Sequence, residues 1–184
     1  QLAQALVSRG IARGDRVAIA MRNCPAWVVS YMAIVKAGGI ATLLNGWWQP
    51  DESRHALDLV EPKLILCDAR RAKRIADVCG TCALVTLPID RPLAEALAPL
   101  VDGAAEAVLP EVTPEDDATI LFTSGSTGES KGALSSHRAV TTGVYAYGTG
   151  LMVLLGLLTE EGRAPATKRT LINVPLFHVT GGVP

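Results

Sequence analysis

Short apolar runs alternate with stretches of helical periodicity along this chain, and that alternation restricts its folding more than any other feature. The run R-V-A-I-A-M at 16–21 predicts a strand. Asn23-Cys24-Pro25 then turns the chain and starts a helix, where proline is tolerated because a first-turn N–H has no partner to lose. Trp27, Tyr31, Ile34 and Val35 recur at helical spacing, and Gly38-Gly39 can end that helix in a left-handed conformation. A second apolar run follows at 40–44. Pro50-Asp51-Glu52 opens another helix with acids at its positive end. A third strand at 64–67, a helix at 69–78 and a fourth strand at 84–87 continue the rhythm. Strands that alternate with helices imply an α/β fold: a mostly parallel sheet flanked by helices, with right-handed crossovers.

The order weakens after residue 100. Pro110, Pro114 and several acids predict an exposed connection near 100–117, and 118–184 then forms a second segment of the same domain. A strand at 118–122 leads into it. Ser135-Ser136-His137-Arg138 reads as a helix start with Ser136 as N-cap. The most apolar stretch, 143–158, falls short of the roughly 18 to 20 residues of a membrane-spanning helix. It also contains Tyr145, Tyr147, Gly148, Gly150 and Gly156, so a buried helix is expected. A polar loop at 160–168, a last strand at 170–174 and a loop at 175–182 complete the reading.

Composition narrows the function. The chain has 184 residues, 49% of them apolar, and a formal net charge of −1, so it can build a sizeable core but offers nucleic acid no basic face. Arg70-Arg71-Ala72-Lys73-Arg74 reads as the solvated face of a helix. Cys79-Gly-Thr-Cys82 has no second CxxC and no His pair for zinc, and it follows a helix rather than opening one, so no metal site is expected. Reduced cysteines suit a cytoplasmic protein, with peripheral membrane contact as a minor alternative. The start at Gln1 and the end at Val183-Pro184 suggest one piece of a longer domain.

The chemistry concentrates in L-F-T-S-G-S-T-G-E-S-K-G at 121–132, directly after a strand. A Gly- and hydroxyl-rich loop there can aim several N–H groups into one concavity, a site for phosphate oxygens. Lys131 adds a mobile positive charge. The Walker A pattern fails twice, with Ser130 in place of its second Gly and Gly132 in place of its hydroxyl, which disfavours a P-loop phosphotransferase. The hydrolase elbow G-x-S-x-G is absent, and Gly148-Thr-Gly150-Leu-Met-Val153 fails the dinucleotide pattern at its last position.

The run F-T-S-G-S-T-G-E-S-K-G at 122–132 resembles the phosphate-binding signature of the adenylate-forming (AMP-binding) enzymes: acyl-CoA synthetases, aryl-CoA ligases, luciferases and peptide-synthetase adenylation domains. G-D-R-V-A-I at 14–19 resembles the family's early strand, and K-A-G-G-I at 36–40 resembles the helix–turn–strand after it. N-V-P-L-F-H-V-T-G at 173–181 resembles its next core motif and leans towards the CoA ligases. The chain departs from the pattern at Ser130, where the family usually has Pro, which leaves the loop less restricted. Glu129 adds a negative charge near the expected phosphates, tolerable if it points into solvent.

The resemblance implies an incomplete N-terminal portion of the family's large domain. It implies a carboxylic acid substrate, fatty or aromatic, with ATP, Mg²⁺ and coenzyme A, and it leaves room for a homo-oligomer. It implies phosphate contacts from Thr123, Ser124, Gly125, Ser126, Thr127, Gly128 and Lys131, and places His178 beside the acyl carboxylate. The adenine site, the Mg²⁺-linked glutamate and the catalytic lysine are expected beyond Pro184, so this stretch alone would be inactive. A non-catalytic nucleotide-binding module and an adenylating enzyme with a non-CoA acceptor are the alternatives. His55 reads as solvated, His137 as structural, and Trp47-Trp48 as a cap of the sheet against helices.

Overall fold

The computed structural model describes residues 1–124, 129–163 and 171–178. Its elements, in chain order, are α1 (Leu2–Ser8), β1 (Arg16–Ala20), α2 (Pro25–Lys36), β2 (Ile40–Leu43), α3 (Pro50–Val60), β3 (Leu64–Asp68), α4 (Ala69–Ile75), β4 (Ala83–Leu87), α5 (Leu93–Val101), β5 (Asp117–Ser124), β6 (Ser130–Ser136) and α6 (His137–Glu160). The strands form one sheet in the order β4-β3-β1-β2-β5-β6. The pairs among β1 to β5 are parallel, and β6 runs antiparallel to β5.

Strand alternation divides the core between the two faces. Val17, Ile19, Leu64, Leu66, Leu43 and Leu121 face α1, α2 and α5, where Leu6, Ile34 and Leu100 are fully buried. Ala18, Ala20, Ile65 and Cys67 face α3 and α4, meeting Ala56, Leu57 and Ile75. The crossovers through α2 and α5 lie on one face and run one way across the sheet. Those through α3 and α4 lie on the other face and run back, as a single handedness requires. The result is the doubly covered, mostly parallel sheet that the alternation implied.

The local signals act where the sequence put them. Pro25 and Pro50 open their helices, and Glu52 Oε2 accepts from the Gln49 N–H at 2.8 Å. Gly38 leaves α2 at φ +77°, and an added Cβ there would meet Pro110 Cγ at 3.0 Å. Asp68 caps α4 by accepting from the Arg71 N–H, and Ser136 caps α6 by accepting from the Ala139 N–H. Residues 102–116 contain neither helix nor strand, and their end is fastened by ion pairs of Arg13 with Asp116 and of Arg138 with Glu115.

Several expectations need correction. The apolar stretch expected to be a buried helix is the middle of α6, a helix of 24 residues with none buried. Its main contacts are with β5 and β6, so nothing among the described residues covers its apolar side. By length and composition alone α6 could cross a membrane. The strand expected at 170–174 is absent over 171–174, and Thr170 lies outside the described residues. The sequence reading lacked α1, α5 and β6, and it ran the fourth helix to residue 78 where α4 ends at Ile75.

Candidate active site at the carboxyl edge of the sheet

In open α/β sheets, ligands bind outside the carboxyl ends of the strands. Here β2 and β5 end beside a crevice of about 810 Å³. Leu43 and Leu121 lie at its base, Trp48 and Phe122 form an aromatic wall, and Phe177 and His178 stand on another side. The polar lining comes from Asn45, Thr123, Ser130 and Ser135, with Asp51, Glu52 and His55 of α3 and Glu129. An apolar body with converging polar groups suits a small molecule that has a polar end.

Short-range contacts hold each wall. Asn45 Oδ1 accepts from the Trp47 N–H at 2.9 Å, turning the chain after β2. Trp48 meets Phe122 edge to face at 5.1 Å between centroids, and Trp47 meets Phe177 in the same way at 5.3 Å. The tryptophan pair therefore stabilises the crevice rather than only capping the sheet, and Trp47 stays 65% exposed. Asn23 secures the segment that carries Phe177 and His178: its Nδ2 donates to the Val174 carbonyl at 2.7 Å, and its Oδ1 accepts from the Leu176 N–H at 2.9 Å. Leu176 is buried in the core, and the His178 N–H closes a turn on the Pro175 carbonyl at 3.1 Å. Asn23 was read from sequence only as part of a turn, because its partners lie about 150 residues away.

The signature segment joins β5 to β6. Thr123 pairs across the strands with Lys131, and Ser124 with Ser130. Directly opposed residues of an antiparallel pair share a face, so Thr123 and Lys131 are neighbours. Thr123 lines the crevice and Lys131 is exposed. Of the expected phosphate contacts, Gly125, Ser126, Thr127 and Gly128 lie outside the described residues, as does the side chain of Ser124. Glu129 is exposed and borders the crevice. His178 is exposed and lines the same crevice.

His55, expected in solvent, lies in the crevice wall with Nε2 3.1 Å from the Ser130 carbonyl oxygen. A carbonyl can only accept, so Nε2 carries the proton. A periodicity argument could not find this residue, because its partner is the backbone of a strand absent from the reading. Arg71 corrects the basic cluster in the same way. It is paired with Asp68 at 2.8 Å, with side-chain exposures of 13% and 5%, and its buried Nε has no hydrogen-bond partner among the described residues. Asp68 also accepts from the Arg22 N–H at 3.0 Å. A Cβ on Gly46 would lie 2.7 Å from that Nε, so the guanidinium packs under the loop that carries Trp47 and Trp48.

The profile of AMP-binding enzymes matches residues 1–183. Rice (Oryza sativa subsp. japonica) 4-coumarate–CoA ligase 2 is 30% identical over 159 residues, 77% of this chain and 28% of that protein. The medium/long-chain-fatty-acid–CoA ligase FadD6 of Mycobacterium tuberculosis is 29% identical over 96% of this chain and 30% of its own length. Among solved structures, ATP-bound MatB from Rhodopseudomonas palustris superposes with a TM-score of 0.73 at 30% identity, covering 99% of this chain and 34% of that one. The chain thus spans about a third or less of these relatives' lengths. With the signature segment, the crevice beside it and a profile match over nearly every residue, the chain belongs to the AMP-binding enzyme family.

Proposed function

We propose that this chain is the N-terminal part of an ATP-dependent carboxylic acid–CoA ligase. The observation that carries the reading is the link between signature and crevice. The Gly-, Ser- and Thr-rich run connects β5 to β6, and Thr123, Glu129 and Ser130 of that hairpin line the same crevice as Phe177 and His178. In the first step the substrate carboxylate attacks the α-phosphate of ATP, giving an acyl-adenylate and pyrophosphate. In the second the thiol of CoA attacks the acyl carbon and AMP leaves. The first step needs positioning and charge neutralisation more than proton transfer. Thr123, Ser124, Gly125, Ser126, Thr127, Gly128 and Lys131 serve the β- and γ-phosphates, and His178 stands beside the acyl carboxylate. Mg²⁺ enters with the ATP phosphates. Among the described residues no cluster of three His, Cys, Asp or Glu side chains could hold a metal.

Relatives named as 4-coumarate–CoA, fatty-acid–CoA and 3-hydroxybenzoate–CoA ligases support CoA as acceptor and a fatty or aromatic acid as substrate. Peptide synthetases such as inpB of Emericella nidulans, 31% identical over 147 residues, support a second reading in which the acceptor is a carrier-protein thiol. A cytoplasmic enzyme, peripheral to membranes at most, is consistent with both readings. The test is a panel of acids with ATP, with and without CoA, on the full-length protein. Acid-dependent release of AMP with a CoA thioester is expected. Acid-dependent pyrophosphate exchange without CoA consumption would favour the carrier-thiol reading, and no turnover of any acid would leave a non-catalytic nucleotide-binding module. The 184-residue chain by itself is expected to release no AMP in the presence of acid and CoA; release from the purified chain would overturn that expectation.

A further inference from the structure

The CxxC segment lies at the β4 edge of the sheet, between α4 and β4, and is not among the residues that line the crevice beside β2 and β5. The Cys82 N–H donates to the Cys79 carbonyl at 3.1 Å, so the four residues form a hydrogen-bonded reverse turn. Gly80 supplies its φ of +58°. The ends of such a turn lie less than about 7 Å apart at Cα, and a disulfide needs about 4.4–6.8 Å. Both side chains turn to one side, packing on the cluster built around Ile65, Cys67 and Ile75. All four cysteines are free thiols.

We infer that Cys79 and Cys82 form an oxidisable dithiol, a modification site at which a hydroperoxide drives reversible disulfide formation. The two thiols have different roles. Cys82 Sγ donates to the Pro62 carbonyl at 2.8 Å, and burial pushes its pKa up to about 11. Burial does the same to Cys67. Cys79 Sγ makes only the longer bond, to the Ala76 carbonyl at 3.3 Å, and sits beside exposed Gly80, so Cys79 is the nucleophile and Cys82 the resolving thiol. Its thiolate attacks one oxygen of the hydroperoxide, the O–O bond breaks, and hydroxide (or alkoxide) leaves with a proton from solvent. The resulting sulfenic acid is then attacked at sulfur by Cys82, which loses its proton as water departs. Two thiols and one hydroperoxide thus give one disulfide, one water and one water or alcohol. A thiol reductant reverses the product by exchange. The bridge removes the donor to Pro62 and ties the exit of α4 to the entry of β4.

The test uses the chain under native conditions with excess hydrogen peroxide, followed by alkylation and peptide mapping. The expected product is a single peptide with Cys79 and Cys82 joined, two hydrogens lighter and restored by dithiothreitol, while Cys24 and Cys67 stay alkylatable once the chain is denatured. In C82S the expected product is a Cys79 sulfenic acid that dimedone traps, and in C79S no disulfide forms. Circular dichroism of both variants checks that the fold persists. Pairing of Cys79 with Cys67, over-oxidation of Cys79 with Cys82 still free, or no oxidation of Cys79 would each overturn the inference. So would equal disulfide yield from the urea-unfolded chain in the same time, because the folded turn would then contribute nothing.

Discussion

Asp68 and Arg71 show what one buried pair contributes at this site. Asp68 accepts from two backbone N–H groups and from the guanidinium, so replacing it leaves a mostly buried cation and two donors without partners. Removing one partner of such a pair costs about 3–5 kcal/mol. Asp68→Ala is therefore expected to lower the urea midpoint strongly, and a change within error would mean that Arg71 finds water instead. Gly46→Ala acts from the other side of the same guanidinium. Because Asp68 pins Arg71, the side chain cannot retreat from a Cβ at 2.7 Å, and overpacking of this kind costs about 1–3 kcal/mol. An unchanged midpoint for Gly46→Ala would show that the loop gives way. The third prediction concerns Lys131 in the full-length protein. In the proposed reaction pyrophosphate leaves after the first half-reaction, so Lys131→Ala should slow adenylation by about 10-fold, the low end expected for one charge-assisted hydrogen bond from an exposed lysine. Single-turnover kinetics with preformed acyl-adenylate should show the second half-reaction nearly unchanged. Equal losses in both would remove Lys131 from the phosphates. The sequence singles out Lys131 and His178 as candidates because they stand in contiguous motifs. It could not identify Asn23, His55 or Arg71, whose roles rest on partners outside their own segments.

The elements were legible wherever a local device marks them. Pro25, Pro50 and Ser136 announce helix starts, Gly38 announces an end, and the apolar runs of β1, β2 and β3 are buried on both faces as parallel strands must be. The miss of β6 has a physical cause. β6 reads S-K-G-A-L-S-S, mostly polar and half-exposed to exposed, and becomes a strand only by pairing with β5. Its strand character comes from hairpin pairing, which no single-segment pattern reports. The turn into β1 carries the pH dependence of this half of the sheet. Burial works to raise the pKa of Asp15. Hydrogen bonds from Lys63 and the Ala12 N–H, with the charges of Lys63 and Arg16, outweigh it and hold the carboxyl below its ordinary value of 3.8. A depressed carboxyl adds stability above the unfolded value, about 4, and loses it as pH falls through the folded one. The Arg138 contact with Glu115 and the Arg13 contact with Asp116 lower those carboxyls in the same direction. Urea midpoints should therefore fall below about pH 4, and Asp15→Asn should flatten part of that fall. A variant with the same pH profile as the parent would mean that Lys63 and Asp15 are not coupled in solution.

At the scale of the molecule, the chain is one well-packed half of a sheet and one uncovered side. The face carrying α1, α2 and α5 and the face carrying α3 and α4 both close around fully buried residues such as Ile19 and Ile65. Among the described residues, coverage ends beyond β5. Leu134 on β6 and Tyr145, Met152, Val153, Leu154 and Leu157 on α6 are all more than half exposed, and β6 is the edge of the sheet. The sequence marked the α6 stretch as core-like. A hydrophobic pattern records that a face is to be covered but not what covers it, and this chain spans about a third of the relatives that share its fold. An apolar face beside an open strand edge favours association. The 184-residue chain is thus expected to self-associate, with a light-scattering mass above 19.3 kDa that rises with concentration. Replacing Met152 and Leu154 together by lysine should shift that mass towards the monomer. The circular dichroism spectrum should change little, since both side chains are 52% exposed or more and support no packing. A clean monomer of the parent chain over a wide concentration range would refute the argument. Lysine substitutions that lower helicity and mass together would instead show that α6 is held by its own apolar contacts rather than presenting them.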